Sequence, residues 1–309
     1  MGKFLSLFTV GLLQNTVRTA TPVVIASMGG LFTEHAGIMN IGMDGMILIG
    51  AFSAVVCSYF FSSALMGVLI AVLIGILLGL FFGLFVIHLK SDEFIIGVAL
   101  NIFAGAITVF LLRTMFNVKG SFSDPGIVPL PTIHIGFLDK IPILGDLLNN
   151  NSILIYVSWL LVFVCWLVIY KTPFGLRMRA AGENPESLRA LGKSPVMMKY
   201  AASVICGALC ALAGAHLSLG YLTQFSEGMS ASRGFIAYAC IIFGRANPPK
   251  VFLAVLLFGF LDALGIRMQN LGVSSYLTEM IPYLATVFVL ILGAIRENAK
   301  KKGVRKLTA

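Results

Sequence analysis

Apolar runs of roughly membrane-spanning length follow one another along most of this 309-residue sequence. A helix needs about 20 apolar residues to cross the hydrocarbon core of a bilayer, and a spanning segment must satisfy its own backbone polar groups there. Hydrophobic residues make up 58% of the chain and charged residues only 11%, whereas soluble domains carry about 25% charged residues. The sequence therefore predicts an all-α, polytopic membrane protein with a single transmembrane domain over residues 1–309.

The apolar runs predict about nine transmembrane helices, or ten if the short run at residues 4–13 also crosses. The nine runs are residues 20–32, 47–61, 64–89, 94–116, 153–170, 200–219, 234–243, 251–267 and 276–295. The loop at 172–199 and the C-terminal tail are rich in lysine and arginine, which predicts that both are cytoplasmic. Loop 117–151 is then extracytoplasmic.

Residues 31–50, LFTEHAGIMNIGMDGMILIG, interrupt two of these runs with polar residues and glycines. Irregular backbone at membrane depth survives only inside protein or beside water, and acidic side chains there mark a functional site. A glycine-broken, acid-bearing segment predicts a broken helix beside a substrate path. An ordinary solvated loop is the alternative, mainly for the first two of its polar residues. Those polar residues are Glu34, His35, Asn40 and Asp44.

The chain also shows a faint internal symmetry. Residues 20–116 and 200–295 each contain four predicted crossings, and in both sets the second crossing begins with a glycine-rich polar segment. The two sets start on opposite sides of the membrane, which predicts inverted repeats with broken helices. The polar residues within or entering apolar runs are the candidate lining of the substrate path: Glu34, Asn40, Asp44, Asn101, Gln224 and Arg233.

Loop 172–199 contains a short helix with a clear start and stop. Asn184 supplies a capping side chain, the following proline presets φ, and Glu186 places a negative charge in the first turn. Gly192 is placed to end the helix. We expect this helix to display Leu188 and Leu191 to a cytoplasmic partner, although topogenic positive charge alone is a simpler explanation of the loop.

Three stretches carry a family resemblance: FTEHAGIMNIGMDGMILIGA, RAAGENPESLRALGKS and SRGFIAYACIIFGRANPP. They resemble the permease subunits of bacterial ABC importers, in the branch for ribose, simple sugars and branched-chain amino acids, and above all nucleoside permeases. The resemblance covers residues 19–296, and it departs at Asp44, where the family more usually has Glu. It implies a multi-pass subunit of the bacterial plasma (inner) membrane that works with a second permease subunit, an ABC ATPase subunit and an extracytoplasmic substrate-binding lipoprotein. The ATPase coupling helix would include Asn184, Glu186, Leu188 and Leu191.

The resemblance implies ATP-driven import of a small molecule, with nucleosides as the first choice and simple sugars or riboflavin as alternatives. An ion-coupled secondary carrier is a further alternative, but a carrier needs no helix to dock a motor. The sequence has no GxxxxGK[ST] phosphate-binding motif and no catalytic or metal-ligand cluster. We therefore expect a transport subunit without enzymatic activity, metal or cofactor, with ATP hydrolysed on its partner. The basic residues lie in short loops and the tail, which argues against nucleic acid as a partner.

Overall fold

The computed structural model describes residues 10–134 and 149–270, together with residues 274, 280 and 284. Residues 4–9, the middle of loop 117–151, nearly all of the predicted crossing at 276–295 and the basic tail lie outside the described residues. Within the described part, regular structure consists of helices and four two-residue β-strands.

Four helices form the first part of the chain: α1 (Val10–His35), α2 (Met43–Phe61), α3 (Ala64–Gly83) and α4 (Glu93–Phe116). A π-helical turn, Leu84–His88, continues α3. The sequence left open whether the run at 4–13 crosses the membrane, and its described part, residues 10–13, lies in α1. Residues 10–13 and 20–32 belong to one helix, because the residues between them include no glycine or proline that would stop it.

Six helices follow: α5 (Ile153–Lys171), α6 (Pro173–Glu183), α7 (Pro185–Ala190), α8 (Pro195–Ala215), α9 (Arg233–Phe243) and α10 (Pro248–Asn270). The π-helical turn His216–Tyr221 extends α8. The strands are β1 (Ser121–Phe122), β2 (Thr132–Ile133), β3 (Asn151–Ser152) and β4 (Phe225–Ser226), and β1 pairs with β4 and β2 with β3, both antiparallel.

Helix α6 was not among the sequence-based predictions. The Thr172 side chain accepts the N–H of Gly175 at 3.2 Å, and Pro173 occupies the first helical position. A capping threonine followed by proline is a recognised start signal. The sequence therefore contained a start signal for α6. The basic residues of the loop were interpreted only as a sign of its cytoplasmic location.

Six helices are long and apolar enough to cross a membrane: α2, α3 with its π-turn, α4, α5, α8 with its π-turn, and α10. Helix α1, with 26 residues, is long enough to cross a membrane but is not one of these six. Its residues 19–33 are all buried among other helices. Helix α9 is apolar but shorter. The prediction of an all-α, polytopic membrane protein is confirmed.

Helices α1 and α8, which begin the two predicted repeats, run in opposite directions. Helix α1 packs on α8, α9 and α10, while α8 packs on α1, α2 and α3. Helix α1 starts near loop 117–151, where Arg18 Nε donates to Asn151 Oδ1 at 3.0 Å. Helix α8 ends there instead, since the N–H of Leu130 donates to the carbonyl of Leu219 at 3.0 Å. The opposite directions agree with the predicted inverted repeats.

Small residues allow α3 and α8 to pack backbone against backbone. A Cβ atom on Gly75 would collide with the carbonyl oxygen of Gly207, and one on Gly79 with the carbonyl oxygen of Ser203. Glycine at four-residue spacing permits such close approach within a membrane. This contact holds α3, in the first half of the chain, directly against α8, in the second half.

Candidate translocation site

The first broken segment begins where α1 ends. The N–H groups of Gly37 and Ile38 donate to the carbonyls of Glu34 (3.1 Å) and Thr33 (2.9 Å), and Gly37 has a φ of 68°. This is a Schellman motif, which needs a residue that tolerates left-handed backbone. The chain then runs without helical structure until α2 starts at Met43. The predicted broken helix is present at the predicted glycines.

Two asparagines bond the backbone of this unwound segment, residues 36–42, and of the first turn of α2. Asn101 of α4 accepts the N–H of Gly45 at 2.7 Å and donates to the carbonyl of Ile41 at 3.0 Å. Asn40 accepts the N–H of Gly42 at 3.0 Å and is 0% exposed. Backbone groups at this depth find no water to bond, so both side chains hold the segment in shape. The structure places Asn40 inside the protein and not at a lining surface.

The second broken segment, residues 222–232, separates the π-turn of α8 from α9. Its backbone takes positive φ at Thr223, Gly228, Ala231 and Ser232. Gln224 donates its N–H to the carbonyl of Ser218 at 3.0 Å. The adjoining strand β4 pairs with β1 of loop 117–151, which puts Gln224 towards the predicted extracytoplasmic side of the segment.

Asp44 joins the two broken segments. Its Oδ1 accepts the backbone N–H of Gly234 at 3.0 Å, and its Oδ2 accepts the hydroxyl of Ser230 at 2.9 Å. Asp44 lies in the first turn of α2 and caps the first turn of α9, so one carboxylate faces the positive ends of two helix dipoles. A Cβ atom at position 234 would collide with the backbone of Asp44. The contact between the two helix starts therefore requires glycine.

Arg233 and Asp262 add two more charges beside this contact. Arg233 Nη1 donates to the carbonyls of Met229 and Ser230 at 3.3 Å each, and its Nη2 lies 3.9 Å from Asp262 Oδ2. The side chain of Asp262 is 41% exposed. Sequence reasoning missed Asp262, although a lone acidic residue within an apolar helix is a signal of function.

Glu34 lies on the predicted cytoplasmic side of the first broken segment. It lies beside Tyr238 of α9, and the neighbouring Glu93 accepts the N–H of Met39. These contacts link α1, α4, α9 and the unwound segment. The predicted lining residues are thus spread along the two broken segments, with Glu34 and Gln224 at opposite ends.

One backbone carbonyl, near Glu34 on the predicted cytoplasmic side, accepts hydrogen bonds from two other parts of the chain. The carbonyl of Ala246, between α9 and α10, accepts from His35 Nε2 at 2.9 Å and from the hydroxyl of Tyr170 at 3.5 Å. A carbonyl oxygen can only accept, so Nε2 of His35 carries the proton. The Arg179 guanidinium lies 5.1 Å from the centroid of the Tyr170 ring. The ends of α1 and α5, helix α6 and the α9–α10 turn therefore meet here.

Helix α6 also touches the first broken segment directly. A Cβ atom on Gly182 would collide with the carbonyl of His35 and the N–H of Gly37, and one on Gly37 would lie 3.0 Å from the Cα of Gly182. The backbones of α6 and of the break after α1 are thus in van der Waals contact. Helix α6 is therefore packed directly against this break.

The predicted start and stop of the short loop helix α7 are confirmed. The Asn184 side chain accepts the N–H of Ser187 at 3.2 Å. At the other end, Gly192 has a φ of 68°, and the N–H groups of Gly192 and Lys193 donate to the carbonyls of Arg189 and Leu188 in a Schellman motif. The exposed side chains of Glu186 and Arg189 form an ion pair at 2.6 Å.

The expectation that both leucines of α7 would be displayed is wrong for one of them. Leu191 is 76% exposed, but Leu188 is only 2% exposed. Helix α7 folds back on α6 and on the start of α8, so its inner face is used within the chain. Leu188 anchors the helix, and Leu191 is left as the apolar side chain that faces outward.

Comparisons with known proteins agree with this architecture. The family model described as branched-chain amino acid transport system / permease component matches residues 12–290. The chain is 31% identical to a putative glucose ABC transporter permease of Haloferax volcanii, covering 96% of this chain and 95% of the relative. It is also 31% identical to the nucleoside ABC transporter permease NupC of Lactococcus lactis, over 91% of each chain, and to the guanosine ABC transporter permease NupQ of Bacillus subtilis, over 93% and 92%. No solved structure matches the chain.

These similarities extend over nearly the whole chain, and they confirm the resemblance found in the three sequence stretches. The protein is a multi-pass permease subunit of an ABC importer in the bacterial plasma membrane, and a transport subunit rather than an enzyme. The chain belongs to the family of branched-chain amino acid transport system permease components.

Proposed function

We propose that this chain forms the translocation path for nucleosides in an ATP-driven importer. The observation that carries the substrate class is the 31% identity, over nine-tenths of both chains, to the nucleoside permease of L. lactis and the guanosine permease of B. subtilis. A nucleoside is an uncharged solute with a flat aromatic base and a hydroxyl-bearing sugar. It needs hydrogen-bonding groups along a path that water does not fill.

The path passes between the two broken segments. Asp44 and Arg233 lie at the start of α2 and α9, and the partly exposed Asp262 stands beside Arg233. Carboxylate oxygens accept from sugar hydroxyls and base N–H groups, and a guanidinium donates to base carbonyls. Glu34 lines the cytoplasmic end and Gln224 the extracytoplasmic end, while Asn40 and Asn101 act indirectly by holding the unwound backbone.

Helix α7 is the docking element for the ABC ATPase subunit. It is capped at both ends by Asn184 and Gly192, it offers the exposed Leu191, and Glu186 helps to rigidify it through the ion pair with Arg189. The neighbouring α6 carries the motion onward, since Gly182 touches Gly37 at the break after α1. A second permease subunit and an extracytoplasmic substrate-binding lipoprotein complete the importer.

Simple sugars are the second candidate substrate. The putative glucose permease of H. volcanii is as similar to this chain as the nucleoside permeases are. A sugar would use the same carboxylates for its hydroxyls but would bring no aromatic base. The two candidates therefore differ in ligand and not in the path.

Uptake by cells that lack the gene for this chain tests the proposal without any assumption about its partners. We expect the deletion to abolish uptake of labelled guanosine and adenosine, and the wild-type gene to restore it, whereas the gene for the Asp44→Asn variant should not. The restored uptake should be blocked by vanadate, which inhibits ABC ATPases, and not by a protonophore. Loss of glucose uptake alone would favour the sugar, and uptake that only a protonophore blocks would favour an ion-coupled carrier.

A further inference from the structure

An aromatic groove of about 490 Å³ lies on the surface of the bundle between α5 and α10. Its residues are all apolar or aromatic, and the four from α5 recur at a spacing of three or four, so they form one stripe on that helix. None of them belongs to the translocation site. The lining residues are Trp159, Val162, Phe163, Trp166, Pro249 and Phe252.

The groove lies at the depth of the cytoplasmic half of the hydrocarbon layer. Helix α5 ends at Lys171, and at 1.5 Å per residue Trp166 and Trp159 lie about 7 Å and about 18 Å from that end. On the other wall, Pro249 belongs to the first turn of α10. One leaflet contributes about 15 Å of hydrocarbon. The groove thus runs from the predicted cytoplasmic interface to about the bilayer midplane.

Two exposed lysines stand at the interfacial end of the groove. The Nζ atom of Lys171 lies 5.7 Å from the centroid of the Trp166 ring, and Lys250 directly follows Pro249. Anionic lipids concentrate in the cytoplasmic leaflet and attract basic residues there. Tryptophan indoles favour this same interface, where the N–H meets polar headgroups.

We propose that this groove binds an acyl chain of an anionic phospholipid from the cytoplasmic leaflet, with the headgroup phosphate between Lys171 and Lys250. The occupant must be apolar over the length of one leaflet and negatively charged at one end, and an anionic phospholipid has both properties.

The chain contains two tryptophans, and both line the groove, so its intrinsic fluorescence reports on this site. The full-length chain is reconstituted in phosphatidylcholine vesicles that contain a small fraction of a lipid with brominated acyl chains. We expect brominated phosphatidylglycerol to quench the fluorescence more strongly than brominated phosphatidylcholine at the same fraction. Removing one lysine should weaken the preference for the anionic lipid about fivefold.

In the double variant Lys171→Gln with Lys250→Gln, both brominated lipids should quench the tryptophan fluorescence equally. Lys119→Gln is the matched control, because Lys119 is an exposed lysine in loop 117–151, and it should keep the wild-type preference. Equal quenching of the wild-type chain by both lipids would overturn the proposal, as would an undiminished preference in the double variant. Weak quenching by both lipids would also overturn it, and would mean that another protein surface, such as a second copy of the chain, covers the groove.

Discussion

The Oδ1 atom of Asp44 in α2 accepts the backbone N–H of Gly234 in α9 at 3.0 Å. The first turns of two helices, one from each half of the chain, therefore meet at one carboxylate. Each helix starts after an unwound segment, so each presents N–H groups that have no partner within the helix and a positive dipole end at this point. Any movement of one half relative to the other must carry or break this contact.

Replacing Gly234 with alanine should block transport. The added Cβ atom would collide with the backbone of Asp44 and push the two helix starts apart, at a cost of about 1–3 kcal/mol. We expect uptake to fall at least about fivefold, because 1 kcal/mol corresponds to a factor of about five and 1.4 kcal/mol to a factor of ten. Gly105→Ala is the matched control, since nothing lies within 4 Å of a Cβ atom there. Normal uptake by Gly234→Ala would show that the contact is not needed.

Local signals predicted much of the fold. Gly192 was predicted to end a helix, and its φ is 68°, because few residues other than glycine adopt that backbone at low cost. Asp44 was found because an acidic residue in apolar sequence stands out. These features depend only on residues next to one another in the chain.

Features that depend on distant partners were beyond the sequence. Leu188 and Leu191 both look apolar and accessible on a two-turn helix, but only the packing of α7 on α6 and α8 decides that Leu188 is buried. Asn40 and Asn101 read as lining residues because they are polar. Asn101 bonds the backbone of Gly45 and Ile41 through a tertiary contact that the sequence does not display, whereas Asn40 bonds the backbone of Gly42, two residues along the chain.

The Asn101→Ala variant should lose stability as well as transport. It would leave the N–H of Gly45 and the carbonyl of Ile41 without their present partner, and each unsatisfied buried group costs about 1–3 kcal/mol. Asn101→Asp keeps an acceptor for Gly45 but sets a carboxylate oxygen against the carbonyl of Ile41, so it should also lose stability. A thermal-shift assay in detergent compares the unfolding temperatures of the wild type and the two variants. Equal stability of Asn101→Ala and wild type would contradict this role.

Gly79→Leu should destabilise the subunit without changing its selectivity. A Cβ atom at this position already collides with the carbonyl of Ser203, so a leucine must force α3 away from α8. Gly105→Leu provides the comparison, because a side chain there meets open space. The midpoint of thermal unfolding should fall for Gly79→Leu and stay close to wild type for Gly105→Leu. Similar shifts for both variants would rule out a specific packing role for Gly79.

The two leucines of α7 should respond differently to truncation. Leu191→Ala removes exposed apolar surface, so we expect weaker co-purification of the ATPase subunit and an unchanged unfolding temperature. Leu188→Ala creates a cavity beneath the helix and should lower the unfolding temperature, since such truncations cost about 2–5 kcal/mol in a core. Pull-down and thermal-shift assays on both variants separate the two effects. Undiminished ATPase binding and transport by Leu191→Ala would remove α7 as the docking element.

The hydrogen bond from His35 to the carbonyl of Ala246, at 2.9 Å, should govern how ATP hydrolysis is converted into transport. It ties the end of α1 to the α9–α10 turn, next to the Gly37–Gly182 contact through which α6 would push.

His35→Ala leaves that carbonyl with only the hydroxyl of Tyr170 at 3.5 Å. In proteoliposomes with the complete importer, we expect this variant to hydrolyse ATP normally but to move fewer solute molecules per ATP. His35→Gln can place an N–H donor at the same reach and should restore the ratio. His88→Ala is the matched control, because His88 pairs with Tyr200 at 2.8 Å outside this cluster, and its ratio should equal that of wild type. A wild-type ratio in His35→Ala would mean that the bond only supports the fold, since a purely structural loss lowers both activities together.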